Sequence, residues 1–399
     1  MYASTRRTIW LLLVPLLLLA ALGLLVLWGV RSFLAPFWGV NAAVSYDTPT
    51  QLASVSVADP PNSLAWSADG NYLAAGTWGL ATGETGPGEV HVLDVNKASV
   101  LTILKAKSWV EGLAFSPDGK WLAVAARPSI PASGTPAELV VYDVPAFTAR
   151  FTAQAGSPET GFLDLAWAAD GTSLHALDGP VDHAQGKAMV RRWDVPAFAE
   201  QPAVRAVQLQ GPAALAVSPD GHTLALSFGG GETNALMVRL FDLGRGAERS
   251  FRAGNRYQPP RLGFTADGKA VGVFDTERPS WWDAATGRPA EPGVARFAVQ
   301  PAGLSDFRSR AAVSPNGSWQ AHGYERHRGL GDLGWDNRER EYGGFVRVTE
   351  NATAKTRTWR VTGATDAPAV AFSPDGARLA GTVWQPSGAG LILIWAVPK

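Results

Sequence analysis

The 399-residue chain contains no cysteine. That excludes disulfides, thiolate-held metals, a cysteine nucleophile and lipid attachment through an N-terminal cysteine. It leaves the redox compartment open, because an exported protein can also do without the residue. Net charge is missing too, with 35 basic side chains set against 35 acidic ones. No global field therefore recruits nucleic acid, and no nucleic-acid partner is expected. There is no P-loop, no G-x-G-x-x-G following a strand and no G-x-S-x-G elbow. Gly229-Gly230-Gly231 ends an apolar strand and reads as a flexible loop, not a phosphate cradle.

Uncharged apolar length is concentrated at the start. Thr8 to Val30 runs 23 residues without a charge, enough to cross a bilayer as a helix. Pro15 is tolerable inside such a helix, while Trp10 lies near one end and Trp28 near the other, as interfacial aromatics do. A cleaved signal peptide has a shorter apolar region and a small-x-small site, which Leu24–Arg31 does not offer. The expectation is a short cytoplasmic N-terminus (1–7), an uncleaved transmembrane helix (8–30) and a tether (31–50). Arg6 and Arg7 before the span outnumber Arg31 after it, which places residue 32 onward outside the cytoplasm, periplasmic or at the cell surface.

The rest of the chain repeats one phrase. Leu113-Ala-Phe-Ser-Pro-Asp-Gly-Lys-Trp-Leu-Ala-Val124 reads as strand, tight turn, strand. It recurs from Leu64, Leu165, Leu215, Leu262, Ala311 and Val370, with turn glycines at Gly70, Gly119, Gly171, Gly221, Gly268, Gly317 and Gly376. A period of about 50 residues, each resolvable into strands a to d, is the pattern of propeller blades around a channel. In the second copy the strands are expected near Glu111–Ser116, Lys120–Ala126, Glu138–Val144 and Thr148–Gln154. Strand c ends on an apolar or aromatic residue followed by an acid: Leu93-Asp94, Tyr142-Asp143, Trp193-Asp194, Phe241-Asp242 and Trp282-Asp283. A side chain that the blades repeat reads as architecture. The same holds for Trp66, Phe115, Trp167, Phe264 and Phe372, which share one slot in strand a.

The FSPDG turns and terminal aromatic-Asp resemble the WD-repeat and TolB-type propeller repeats over about Leu52 to Lys399. The resemblance implies a bacterial, membrane-anchored member. The Gly-His pair of true WD repeats is absent, so their His-Asp-Trp clasp is not expected. The seventh copy stops after strand c, and Gln51–Val57 is a spare strand-like piece before the first copy. The expected fold is all-β: a seven-bladed propeller over residues 51–399, its last blade closed by the N-terminal strand.

That topology puts the short a–b and c–d turns on one face and the variable b–c and d–a loops on the other. Long loops are often functional. The longest, Tyr324–Gly343, carries Glu325, Arg326, His327, Arg328, Trp335, Asp336, Arg338, Arg340 and Tyr342, types enriched at interaction hot spots. A solvated loop of mutually paired charges is the bland reading. His322 and His327 with Asp332 and Asp336 show no metal spacing. Trp78, Trp109 and Trp384 fall in or beside the same face and complete the candidate partner-binding set. No catalytic residue, metal or cofactor is expected. The expected function is a non-catalytic scaffold or accessory subunit of a membrane-associated complex. The alternative is a propeller hydrolase or quinoprotein-type dehydrogenase using the channel, for which the polar strand-a starts Glu111, Asp164, Arg261 and Arg310 are the relevant residues.

Overall fold

The computed structural model describes residues 47–79, 86–128, 137–180, 186–202, 205–209, 213–228, 235–254, 261–274, 279–290, 311–325, 344–364 and 369–398. The expected membrane helix, with Trp10, Pro15 and Trp28, lies outside them. Among the described residues no helix is long and apolar enough to cross a membrane.

Seven antiparallel sheets follow one another along the chain. Blade one runs Pro61–Trp66, Tyr72–Thr77, Glu89–Asp94 and Ser99–Lys105, strands a to d. Blade two runs Trp109–Phe115, Trp121–Arg127, Glu138–Asp143 and Ala149–Gln154, within one or two residues of expectation. In blade three, Thr160–Trp167, Ser173–Pro180 and Gly186–Asp194 are edged by two pieces, Ala199–Glu200 and Arg205–Leu209. Blade four runs Ala213–Val217, Thr223–Phe228, Leu236–Asp242 and Glu248–Gly254. Blade five runs Arg261–Phe264, Ala270–Phe274, Pro279–Asp283 and Pro289–Ala290. Blade six runs Ala311–Val313, Trp319–Glu325, Gly344–Glu350 and Thr356–Val361. Blade seven runs Val370–Phe372, Arg378–Trp384 and Gly390–Ala396, and its strand d is Gln51–Val57.

The a–b turns explain why the repeated phrase folds as it does. All seven turn glycines have φ between 69° and 72°, a region that costs other residues dearly. In six blades a Ser or Thr closes strand a and its hydroxyl bonds the turn Asp or Asn, as Ser116 does to Asp118 at 2.6 Å. The same hydroxyl accepts the first N–H of strand b, Trp121 N at 3.0 Å. Blade three has Ala168 there, and Thr172 supplies the hydroxyl to Asp170 instead. The Asp220 and Asp267 carboxyls are held below the usual carboxylate range by the hydroxyls of Ser218 and Thr265.

Each sheet is apolar on both faces, so it is covered only between two others. Seven apolar clusters result, one at each blade boundary. Trp281 packs on the blade-six side and Trp282 on the blade-four side, the alternation that a strand requires. The strand-a tryptophans also bond backward: Trp167 Nε1 donates to Ala114 O and Trp66 Nε1 to Ala371 O, each at 3.0 Å. The second bond joins residues 305 apart in sequence, across the seam between blades seven and one.

Closure occurs as expected. Gln51–Val57 pairs antiparallel with Gly390–Ala396, and Val55 and Val57 are buried against Leu64, Trp66 and Leu73 of blade one. The uneven apolar spacing of this piece has a cause: a bulge at Leu52 shifts the register, after which Ala53, Val55 and Val57 face inward. Residues 47–50, read as tether, already run along the propeller. Asp47 N donates to Thr358 O on the outer strand of blade six, and Thr358 N donates to the Asp47 carboxylate.

A chain starting after Val57 would leave the apolar strand Gly390–Ala396 as an open edge. The expected outcome is a lower thermal midpoint and soluble oligomers on gel filtration; a monomer of unchanged midpoint would refute the role of the closing strand.

Candidate interaction face and interblade cleft

The b–c face was the expected site of function. Of the residues named on its longest loop, Glu325 ends strand b of blade six, paired with Gly344. Arg326, His327, Arg328, Trp335, Asp336, Arg338, Arg340 and Tyr342 lie outside the described residues. Trp384 ends strand b of blade seven opposite Gly390 and is half-buried.

Trp78 and Trp109 come together. Trp78 follows strand b of blade one, and Trp109 opens strand a of blade two. Their rings stack with centroids 5.4 Å apart at 21°. Arg127, paired with Trp109 across the sheet, lies 5.2 Å from the Trp109 ring centre. Its Nε donates to Glu111 at 2.7 Å, a buried pair. Glu111 is the extra residue of a bulge in strand a, which turns its carboxylate toward Arg127. Blade three packs tightly behind, since a Cβ on Gly161 would come within 2.5 Å of Arg127 Cβ. Trp78 is buried, while Trp109 and Arg127 remain half-buried at the edge. The pair thus serves blade packing first, and the half-buried Trp109 is the part that reaches the edge.

The polar strand-a starts hold blades together. Asp164 accepts Leu165 N at 2.7 Å and Leu215 N of blade four at 2.6 Å. Asn62 donates to Val110 O of blade two at 3.1 Å. Further out, each of the first three blades ties its d–a loop to its b–c side by a different pair. Gly79 N donates to Asp59 at 2.5 Å, Lys107 to Glu138 at 2.7 Å and Gly156 N to Asp178 at 2.8 Å. Burial raises the Asp178 carboxyl, opposed by Gly156 N and by Arg191. Arg191 is itself held by Glu200 in a bidentate pair and stacks on Trp193.

The buried histidines are equally committed. His175 is 1% exposed, and burial followed by the charge of Arg192 lowers its pKa to about 4. Its Nε2 is 3.1 Å from Ser173 Oγ, but both groups are sealed from solvent and Asp194 makes no hydrogen bond to the ring. His91 is likewise lowered by burial. Among the described residues no His/Asp/Glu group is arranged to hold a metal.

A cleft that the sequence did not suggest opens on the opposite side. A cavity of about 320 Å³ between the c–d turns of blades three and four is lined by Arg192, Asp194, Gln201, Phe241, Asp242 and Leu243. It exists beside a break in the repeat. Asp94, Asp143, Asp242 and Asp283 each accept N–H bonds from their own c–d turn. Asp194 accepts none and instead takes Arg192 Nε at 3.1 Å. The two turns that share a duplicated phrase differ at one position. Blade two reads Asp143-Val-Pro-Ala-Phe-Thr148, with the Thr148 hydroxyl and N–H on Asp143. Blade three reads Asp194-Val-Pro-Ala-Phe-Ala199 and has no hydroxyl. That single letter was the available signal.

Residues 98–129 match the family model WD40, "WD domain, G-beta repeat". The fold is a seven-bladed β-propeller, and one stretch of it is similar to a WD40 repeat. The match spans strand d of blade one to strand b of blade two, the stretch that contains the FSPDG turn. No curated protein sequence matches the chain. Among solved structures the propeller is similar to Kuenenia stuttgartiensis hydrazine synthase, with 14% identity and a TM-score of 0.56. That likeness covers 90% of this chain and 98% of the other, and at such identity it speaks for the fold alone.

Two measurements probe these assignments. Asp143→Ala should lower the thermal midpoint, whereas Asp194→Ala should leave it nearly unchanged; equal losses would show that both acids cap their turns. His175 stays neutral in the fold down to about pH 4, while in the unfolded chain it takes up a proton near 6.5. Its contribution is therefore present above pH 6.5 and lost as pH falls from 6.5 to 4, by ~3 kcal/mol at most. His175→Gln should flatten the stability–pH curve in that window, read by urea denaturation.

Proposed function

We propose that this chain is a membrane-anchored, non-catalytic propeller that serves as an interaction scaffold or accessory subunit of a membrane-associated protein complex. One observation carries the reading: Glu111, Asp164 and His175, the groups singled out for chemistry in the described blades, are committed to contacts inside the fold. Glu111 is spent on Arg127, Asp164 on two backbone N–H groups and His175 on a sealed core. What reaches the b–c edge is the half-buried Trp109, a type that anchors protein interfaces. The WD40 match supports the same reading, since such propellers generally mediate protein–protein contacts. Thr8–Val30 serves as the anchor, with the propeller on the extracytoplasmic side.

Membranes extracted with alkaline carbonate should retain the full chain, and added protease should reach the propeller only from the extracytoplasmic side. Mild-detergent purification at native expression should bring a stoichiometric protein partner, and Trp109→Ala should weaken it by about thirtyfold, a hot-spot-sized loss. Monomer alone, or stoichiometric metal or quinone absorbance in the purified chain, would overturn the scaffold reading in favour of a propeller enzyme.

A further inference from the structure

Four large apolar side chains are strongly exposed among the described residues, and three of them lie on the outer strands of adjoining blades. Leu52, on blade seven, is 51% exposed; Leu101 and Ile103, on blade one, are 46% and 44% exposed. Ala53 and Val100 of these two strands pack against the same apolar cluster.

The two leucines lie on the exposed alternation of their strands and share one backbone feature. Gln51 and Ala53 pair with consecutive residues Trp395 and Ile394, leaving Leu52 as an extra residue. Val100 and Thr102 pair with Leu93 and Val92, leaving Leu101. Ala149 and Phe151 pair with Tyr142 and Val141, leaving Arg150 in blade two. All three bulges face the last apolar residues of strand c, so they share one height on three successive blades. Blades four and six pass that height without a bulge, pairing Phe241 with Glu248 and Thr349 with Thr356.

Basic groups flank the leucines. Lys97, Lys105 and Lys107 are 73%, 69% and 64% exposed, and Arg150 is exposed. Their acidic partners Asp94, Glu89 and Glu138 are only 17%, 23% and 10% exposed, so ammonium groups form the outermost layer. Exposed ion pairs of this kind are weak and exchange readily for another anion. The chain also enters here. Asp47 is bonded along the outer strand of blade six, directly before Gln51–Val57 becomes the outer strand of blade seven. Thr8–Val30 precedes Asp47 by 16 residues, a reach of at most about 55 Å.

We propose that the outer rim of blades seven, one and two rests on an anionic lipid surface. Leu52, Leu101 and Ile103 enter the headgroup region, and Lys97, Lys105, Lys107 and Arg150 meet lipid phosphates. The propeller then stands on its rim, leaving both turn faces open to protein partners. This rests on the reading of Thr8–Val30 as a membrane anchor.

Because the chain has no cysteine, single-cysteine labels report without background. The full chain carrying a bimane at Ile103→Cys is placed in nanodiscs of phosphatidylcholine and phosphatidylglycerol containing headgroup-proximal doxyl lipid. Lys269→Cys, in the exposed a–b turn of blade five, is the reference. Quenching at position 103 should exceed that at 269 by about threefold, as for an interfacial side chain. Adding Lys97→Glu, Lys105→Glu and Lys107→Glu should abolish the difference. Equal quenching at both positions, in chains that co-elute with the discs, overturns the rim contact and leaves the anchor standing. Chains that do not enter the discs overturn the anchor and this proposal with it. A bimane shift that appears without lipid and grows with protein concentration identifies a second copy as the occupant and overturns the lipid assignment.

Discussion

A sheet with two apolar faces has no stable surface in water, and every blade of this protein is such a sheet. The constraint is met only if each blade lies between two others all the way round. The pairing of Gln51–Val57 with Gly390–Ala396 therefore underwrites every other contact. It joins the first and last strands of the propeller in one sheet, buries Val55 and Val57 in the boundary between blades seven and one, and covers the edge of the apolar strand Gly390–Ala396. The Trp66 bond to Ala371 reinforces the same seam from the inner strands. Asp47, bonded to Thr358, extends the cover to the neighbouring outer strand.

Within that ring, repetition and departure have different meanings. The hydroxyl–Asp–Gly turn recurs because one hydrogen-bond pattern solves the same hairpin seven times, with Thr172 substituting where Ala168 cannot serve. The terminal Asp of strand c caps its turn in blades one, two, four and five and does not in blade three. Asp194 loses its hydroxyl partner at Ala199, turns to Arg192 and becomes part of a cleft wall. The outer bulges show the reverse. A common backbone irregularity carries leucine in two blades and arginine in a third, so its side chains are free to serve something outside the ring.

Much of the fold was legible because it is local or periodic. Strand boundaries in blade two, the opposed directions of Trp281 and Trp282 and the closing role of residues 51–57 all follow from alternation and turn chemistry. The candidate surface was legible only in part. Trp78 and Trp109 were each marked for their position beside the b–c face, but their stacking across blades and the Glu111–Arg127 pair beneath them depend on how two sheets approach. The commitment of Asp164 to Leu215 N, 51 residues away, is likewise a product of packing.

By itself the sequence determined the number of blades, the order of strands, the partner of the closing strand and the absence of thiol chemistry. These depend on period, on residues that tolerate a turn and on which stretch lacks a mate. Only the tertiary structure decided which polar groups are spent and which are left over. A carboxylate such as Asp143 or Asp194 looks the same in a repeat. Whether it caps a turn or lines a cleft depends on a donor five residues away and on the neighbouring blade, because hydrogen bonds are short and the groups that compete for them meet only when the ring is closed.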